Sequence, residues 1–248
     1  MKRLDGLWAA FLGLAIWQAC VWLTGAPHFI LPSPARVAMA AYDNFGLIFE
    51  HALVTSVEVV LGLLLGIALG VVTAIHLALS PLARRIFMPL LIFTQAVPVF
   101  AIAPILTLWL GYGIASKILM ALLIIYFPVT SAFHDGLMRV DQGKLDLAQT
   151  MGATPARIMR HIRIPAALPA LGSGLRLAAV YAPIGAVIGE WVGASRGLGY
   201  LMLLANGRAK TDLMFASLIV LALIAITLHH LVGALAGRME AYSRPIAR

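Results

Sequence analysis

Residues 52 to 79 read ALVTSVEVVLGLLLGIALGVVTAIHLAL, a run whose only formal charge is Glu58. A hydrocarbon core roughly 30 Å thick is crossed by about 20 apolar helical residues, so this stretch is a membrane span with length to spare. Outward from it, residues 6 to 24, 88 to 110, 115 to 134, 167 to 191 and 213 to 235 repeat the pattern. The chain of 248 residues is 62% hydrophobic and 11% charged, with mean hydropathy +0.96, whereas a soluble domain carries about 25% charged residues. The expectation is an all-α, polytopic integral membrane protein of about six transmembrane helices. It forms a single membrane domain over residues 1 to 248, with residues 1 to 50 as a first helix and external linker. The short connections leave no room for a separate soluble domain.

Lys2 and Arg3 followed by an apolar run fit either a signal peptide or a first span. Trp8, Trp17 and Trp22 and the lack of a small-residue cleavage site before Pro27 favour a retained helix. Alternate loops then divide the cations unequally. Residues 2, 3, 84, 85, 139, 144, 157, 160, 163, 238, 244 and 248 fall on one side, and 36, 117, 196, 208 and 210 on the other. The richer side is cytoplasmic by the positive-inside rule. The net charge of +8 is thus an orientation signal, and a nucleic-acid partner is not expected. Cys20 is the only cysteine, which excludes an intrachain disulfide and a cysteine metal pair.

One cytoplasmic loop stands out. Residues 146 to 165, DLAQTMGATPARIMRHIRIP, are polar and basic among apolar runs. Leu145, Ala148 and Met151 share a helical face, Gly152 suits a helix stop, Thr154 an N-cap and Pro155 the first position of a second helix. That second helix is expected to run to Ile164 and end at Pro165, with Ile158 and Ile162 on one face and Arg157, Arg160 and Arg163 around it. Such a pair can lie on lipid headgroups or insert into a protein groove.

The stretch is similar to the cytoplasmic motif E-A-A-x3-G-x9-I-x-L-P of binding-protein-dependent ABC transporter permeases. Asp146, Leu147 and Ala148 stand at E-A-A, Gly152 at the glycine, Ile162 at the isoleucine, and Ile164 and Pro165 at L-P. Three departures, Asp for Glu, Leu for Ala and Ile for Leu, keep charge or apolar character. The resemblance extends over residues 50 to 235. It implies that residues 136 to 166 form a coupling segment, with Ile158 among its contacts, that docks into an ABC ATPase subunit. It also implies a solute-binding protein on the outer face, a homodimer, membrane lipid around it, and a place in the bacterial inner membrane. No G-x-x-x-x-G-K-[ST] occurs in the chain, so no cofactor is expected here and ATP belongs to the partner.

Within the third window, Pro98 and Pro104 each remove a backbone donor, predicting a bent helix, and Gln95 sits beside the first. The pattern from Gln95 to Gly113 resembles sulfonate, nitrate, taurine and pyrimidine permeases, which implies a pathway-lining span. Intramembrane charge is costly, about 2.5–3.5 kcal/mol at a helix centre. Glu58 and Glu190 therefore stand close to an interface and stay wet, or form a polar rim where a ligand enters. Arg176 is expected to snorkel. Gly62, Gly66 and Gly70 permit close helix approach, within the subunit or between subunits. The histidines suggest no metal site, and no nucleophile, base or metal constellation suggests catalysis. Gly111-Tyr112-Gly113 lacks the flanks of a potassium filter, and a secondary transporter would need an internal repeat that is not evident. Residues 181 to 202 most closely resemble importers of the pyrimidine precursor of thiamine, hydroxymethylpyrimidine or its formylamino relative; alkanesulfonate, taurine and nitrate permeases share a looser pattern. Glu190 would then accept from an exocyclic amine, and Tyr181 or Trp191 would offer a ring face.

Overall fold

The computed structural model describes residues 3 to 243; Lys2, Arg244 and Arg248 of the charge argument lie outside them. Helix follows helix: α1 Arg3–Thr24, α2 Pro34–Asp43, α3 Phe45–Leu79, α4 Pro81–Ala96, α5 Val99–Leu110, α6 Ile114–Met138, α7 Gln142–Thr150 and α8 Pro155–Ile158. A π-helical turn, Met159–Arg163, then leads to α9 Ile164–Gly193, α10 Leu198–Gly207 and α11 Thr211–Ser243. Among the described residues, four helical stretches are long and apolar enough to cross a membrane: Phe45–Leu79, Ile114–Met138, Pro155–Gly193 and Thr211–Tyr242. The pair α4 and α5 makes a fifth when taken as one broken span, and the apolar part of α1, Trp8–Thr24, is shorter.

The bend expected in the window 88 to 110 is present and sharp: α4 and α5 meet at 99°. The cause is local, because a proline ring clashes with a helical residue before it, and Val97 accordingly sits in extended backbone (φ −88°, ψ 117°) ahead of Pro98. One expectation is corrected: Pro165 does not end the second cytoplasmic helix. The π turn passes directly into α9, where Pro165 occupies the first turn, a place at which its missing N–H is least felt.

By compactness the chain divides into two units. The first comprises residues 1 to 55 and 195 to 223. In it Trp17 stacks on Phe215 at 5.7 Å and donates from its indole to the Pro32 carbonyl at 3.1 Å. The N-terminus of α10 has no cap of its own after Gly197. It borrows one from α3: the Gly197 N–H donates to His51 Nδ1 at 2.9 Å, and the Leu198 N–H to Thr55 Oγ1 at 2.8 Å. Buried orphan amides at a helix start demand such partners, which gives His51 a structural task.

The second unit, residues 56 to 194 and 224 to 248, is built around α6 and α9. Small residues bring the helices together. A Cβ at Gly62, Gly66 or Gly70 of α3 would meet Ala121, Ile125 or Val129 of α6 at 2.7–2.9 Å, so this glycine row packs within the subunit. At Gly185 of α9 an added Cβ would fall 2.5 Å from Ala121 Cα, which is backbone and cannot swing aside. We expect Gly185→Ala to force α6 and α9 apart at a cost of about 1–3 kcal/mol, typical of overpacking. A lowered melting temperature of the purified subunit checks this; an unchanged one would mean that the approach is looser.

Candidate functional site

Lys117 opens α6 and Glu190 lies in the last turn of α9, so both belong to the same end of the second unit. Lys117 Nζ stands 3.4 Å from Glu58 Oε1 of α3. Glu190 is close enough to Glu58 for the two carboxyl groups to interact. All three side chains are enclosed, with Glu58 and Glu190 each 1% exposed and Lys117 6%. Gly189 makes room for the lysine stem, since a Cβ there would meet Lys117 Cα and Cγ at 3.0 Å. The glutamates are therefore neither wet interfacial groups nor an open polar rim. They form a buried polar triad, an ion pair and a carboxyl–carboxyl contact, that ties three helices together. Lys117 was legible only as a topological charge: its partners lie 59 and 73 positions away, and no helical periodicity links them.

The other pathway candidates gather elsewhere. On α9, Leu177, Tyr181, Ile184 and Trp191 are exposed and Ile188 is half-buried. Their spacing places all five on one face, with Glu190 on the far side of the helix. Ile188 also lines a cavity of about 280 Å³ at the α4–α5 break, together with Thr94, Gln95, Val97, Pro98, Val99, Phe100 and Ile124. Gln95 and Pro98 thus line the cavity, and Ile188 links it to the helix face that carries Tyr181 and Trp191, whereas Glu58 and Glu190 are buried on another side. Two larger hollows have more charged walls: one is lined by Arg36, Asp43, Lys210 and Asp212, the other by Arg139 and Glu240.

The cytoplasmic motif takes the expected turn. Gly152 adopts φ +78°, its N–H donates to the Gln149 carbonyl at 2.8 Å, and the Ala153 N–H donates to the Ala148 carbonyl at 2.9 Å. This pair of bonds is the Schellman ending of α7. Thr154 caps the next helix through the Arg157 N–H, with Pro155 in its first turn. The apolar residues divide differently from expectation. Leu145 and Ile158 are buried, Ala148 and Ile162 half-buried, and Ile164 and Pro165 half-buried at the start of α9. What the segment presents outward is Leu147, 62% exposed, and Met151, 79% exposed. Asp146, also exposed, accepts from Gln142 Nε2 at 2.8 Å.

Residues 66 to 241 match the family of binding-protein-dependent transport system inner membrane components. The chain belongs to this family. The permease is 51% identical to a probable ABC transporter permease protein of Haemophilus influenzae, over 87% of this chain and 88% of the relative. It is 37% identical to the riboflavin transport system permease RibX of Chloroflexus aurantiacus, over 90% and 84%. It is 36% identical to the formylaminopyrimidine transport permease ThiX of Halalkalibacterium halodurans, over 86% and 85%. Its fold is shared with a chain of the MetNI methionine ABC transporter in an inward-facing conformation, with TM-score 0.60 and 20% identity over 81% of this chain and 96% of that one. The permease is accordingly a multi-pass inner-membrane protein and the non-catalytic membrane component of an ABC importer, whose family works with an ATPase and a binding protein.

Proposed function

We propose that this permease carries an aromatic nitrogen heterocycle, foremost a thiamine-precursor pyrimidine such as formylaminopyrimidine or hydroxymethylpyrimidine. It works as a homodimer fed by an external solute-binding protein and driven by ABC ATPase subunits docked on residues 136 to 166. The observation that carries the substrate class is the α9 face with Tyr181 and Trp191, whose Ile188 also lines the cavity at Gln95 and Pro98. Aromatic faces stack on a planar ring with centroids 4.5–7 Å apart, and the Gln95 carboxamide both donates and accepts. The volume of about 280 Å³ lies just below the roughly 300–1,000 Å³ of sites for drug-sized ligands, which suits a single ring. Two relatives, RibX and ThiX, are named for ring heterocycles. Glu190 contributes no bond to the ligand in this reading, because it faces Glu58 and away from the aromatic stripe.

The assembled transporter in vesicles, with its own binding protein and ATPase, should take up labelled formylaminopyrimidine or hydroxymethylpyrimidine when ATP is supplied. Trp191→Ala should slow that uptake about three- to tenfold, the loss of one aromatic contact worth about 0.5–1.5 kcal/mol. Uptake of taurine with neither pyrimidine would sink the substrate assignment and assign the subunit to the sulfonate branch.

A further inference from the structure

The end of the second unit that carries the coupling segment holds an unusual meeting of cations. Arg84 Nη1, from the first turn of α4, lies 3.5 Å from Met138 Sδ at the end of α6. Arg163 Nη1, at the entry to α9, lies 3.9 Å from the same sulfur. Arg139 follows Met138 directly. Two guanidinium groups repel one another, and a carboxylate or phosphate that accepts from both in fork geometry relieves the repulsion. Neither takes part in the ion pairs Lys117–Glu58, His134–Asp135, Arg176–Glu240 and Arg196–Glu50. Of the acidic groups on the same elements or facing them, Asp135 is directed to His134 at 3.6 Å and Glu240 to Arg176 at 2.6 Å. Arg163 Nε is buried and lacks a hydrogen-bond partner. Arg84 and Arg163 thus bring two guanidinium groups to one point beside an uncharged sulfur, with the buried Arg163 Nε still to be bonded.

We propose that Arg84 and Arg163, assisted by Arg139, form a seat for the phosphodiester of an anionic phospholipid. The placement argues for lipid. Pro81 begins α4, Met138 ends α6 and Ile164 begins α9, so the three cations stand where membrane-crossing helices leave the hydrocarbon, at headgroup depth. Beyond Arg84, α4 exposes Ile86, Phe87 and Leu90, apolar surface against which acyl chains can lie. A phosphate has the geometry that two guanidinium forks accept together, and topology alone would ask only for positive charge, not for convergence on one point.

The test uses the permease complex in nanodiscs containing equal amounts of phosphatidylglycerol and phosphatidylcholine, with retained lipid counted by native mass spectrometry. The wild type should retain phosphatidylglycerol preferentially. The double variant Arg84→Gln, Arg163→Gln should lose that preference about tenfold, the scale of one or two charge-assisted hydrogen bonds, while Arg208→Gln keeps it. Should the Gln pair fail to fold, Arg84→Lys with Arg163→Lys preserves charge without the fork and should retain less lipid than the wild type. Equal retention in either pair would overturn the proposal. So would displacement of the lipid by millimolar inorganic phosphate, which would mark a site for the free ion. Loss of the ATPase subunit with lipid retention intact would instead assign the cluster to docking. The measurement reads lipid and not solute, so it stands whatever substrate the permease carries.

Discussion

Lys117→Met should sharply destabilise the folded permease. Lys117 is the cation within reach of Glu58, at 3.4 Å, in a place where Glu58 and Glu190 are each 1% exposed. Methionine matches the stem in size, so the packing against Gly189 survives and the charge is lost. Breaking a buried ion pair from one side costs about 3–5 kcal/mol, because the remaining charge has neither partner nor water. Against a net stability of about 5–15 kcal/mol for a whole domain, that is a large share, and here two carboxyl groups are left facing each other. Melting of the purified subunit and its abundance in membranes should both fall sharply. Glu58→Gln alone should cost much less, since the amide keeps the size of the side chain and can still accept from Lys117 while donating to Glu190. Adding Glu58→Gln to Lys117→Met should restore part of the loss by removing one of the two facing carboxyl groups. An unchanged melting point for Lys117→Met would mean that the triad holds nothing together.

The triad also shows where reading along the sequence stops. Apolar length, loop charge and cap residues are local quantities, so the membrane class, the Gly152 turn and the Thr154 cap are legible in the order of the residues alone. Glu58 and Glu190 are legible as costly groups in need of a reason. That reason, Lys117, comes from another helix, and only the packing of α3 and α9 on α6 brings it near. Proline is half legible: its chemistry announces a disturbance but not its size, and Pro98 marks a right-angled break while Pro165 sits in α9 just after a π turn. The difference lies in what precedes each ring. Val97 yields to extended backbone, whereas Ile164 remains helical (φ −60°, ψ −51°) because the wider turn has already displaced the carbonyl ladder. The aromatic face of Tyr181 and Trp191 is visible as residue types, but its separation from Glu190 follows from helical phase once α9 runs unbroken to Gly193.

Gly152→Val should abolish uptake while leaving the permease in the membrane. A Cβ at Gly152 would touch nothing within 4 Å, so the penalty is not a clash but the backbone itself, held at φ +78°. A β-branched residue in that region costs about 1–3 kcal/mol. This is too little to unfold the protein and enough to shift a local turn about five- to a hundredfold, since each 1.4 kcal/mol is a factor of ten. The two Schellman bonds from Gly152 and Ala153 would loosen first, and with them the direction in which α7 presents Leu147 and Met151. If those exposed side chains are what the ATPase receives, the motor then turns over without moving solute. Met151→Asp tests the same surface without touching the turn and should lower uptake at least about tenfold, a charge in an apolar groove being worth more than 1.4 kcal/mol. Cysteines at 147 or 151 should crosslink to the ATPase, whereas one at 158 should not, because Ile158 is only 7% exposed. Normal uptake by both variants, with membrane abundance equal to the wild type, would show that the segment fixes topology and nothing more.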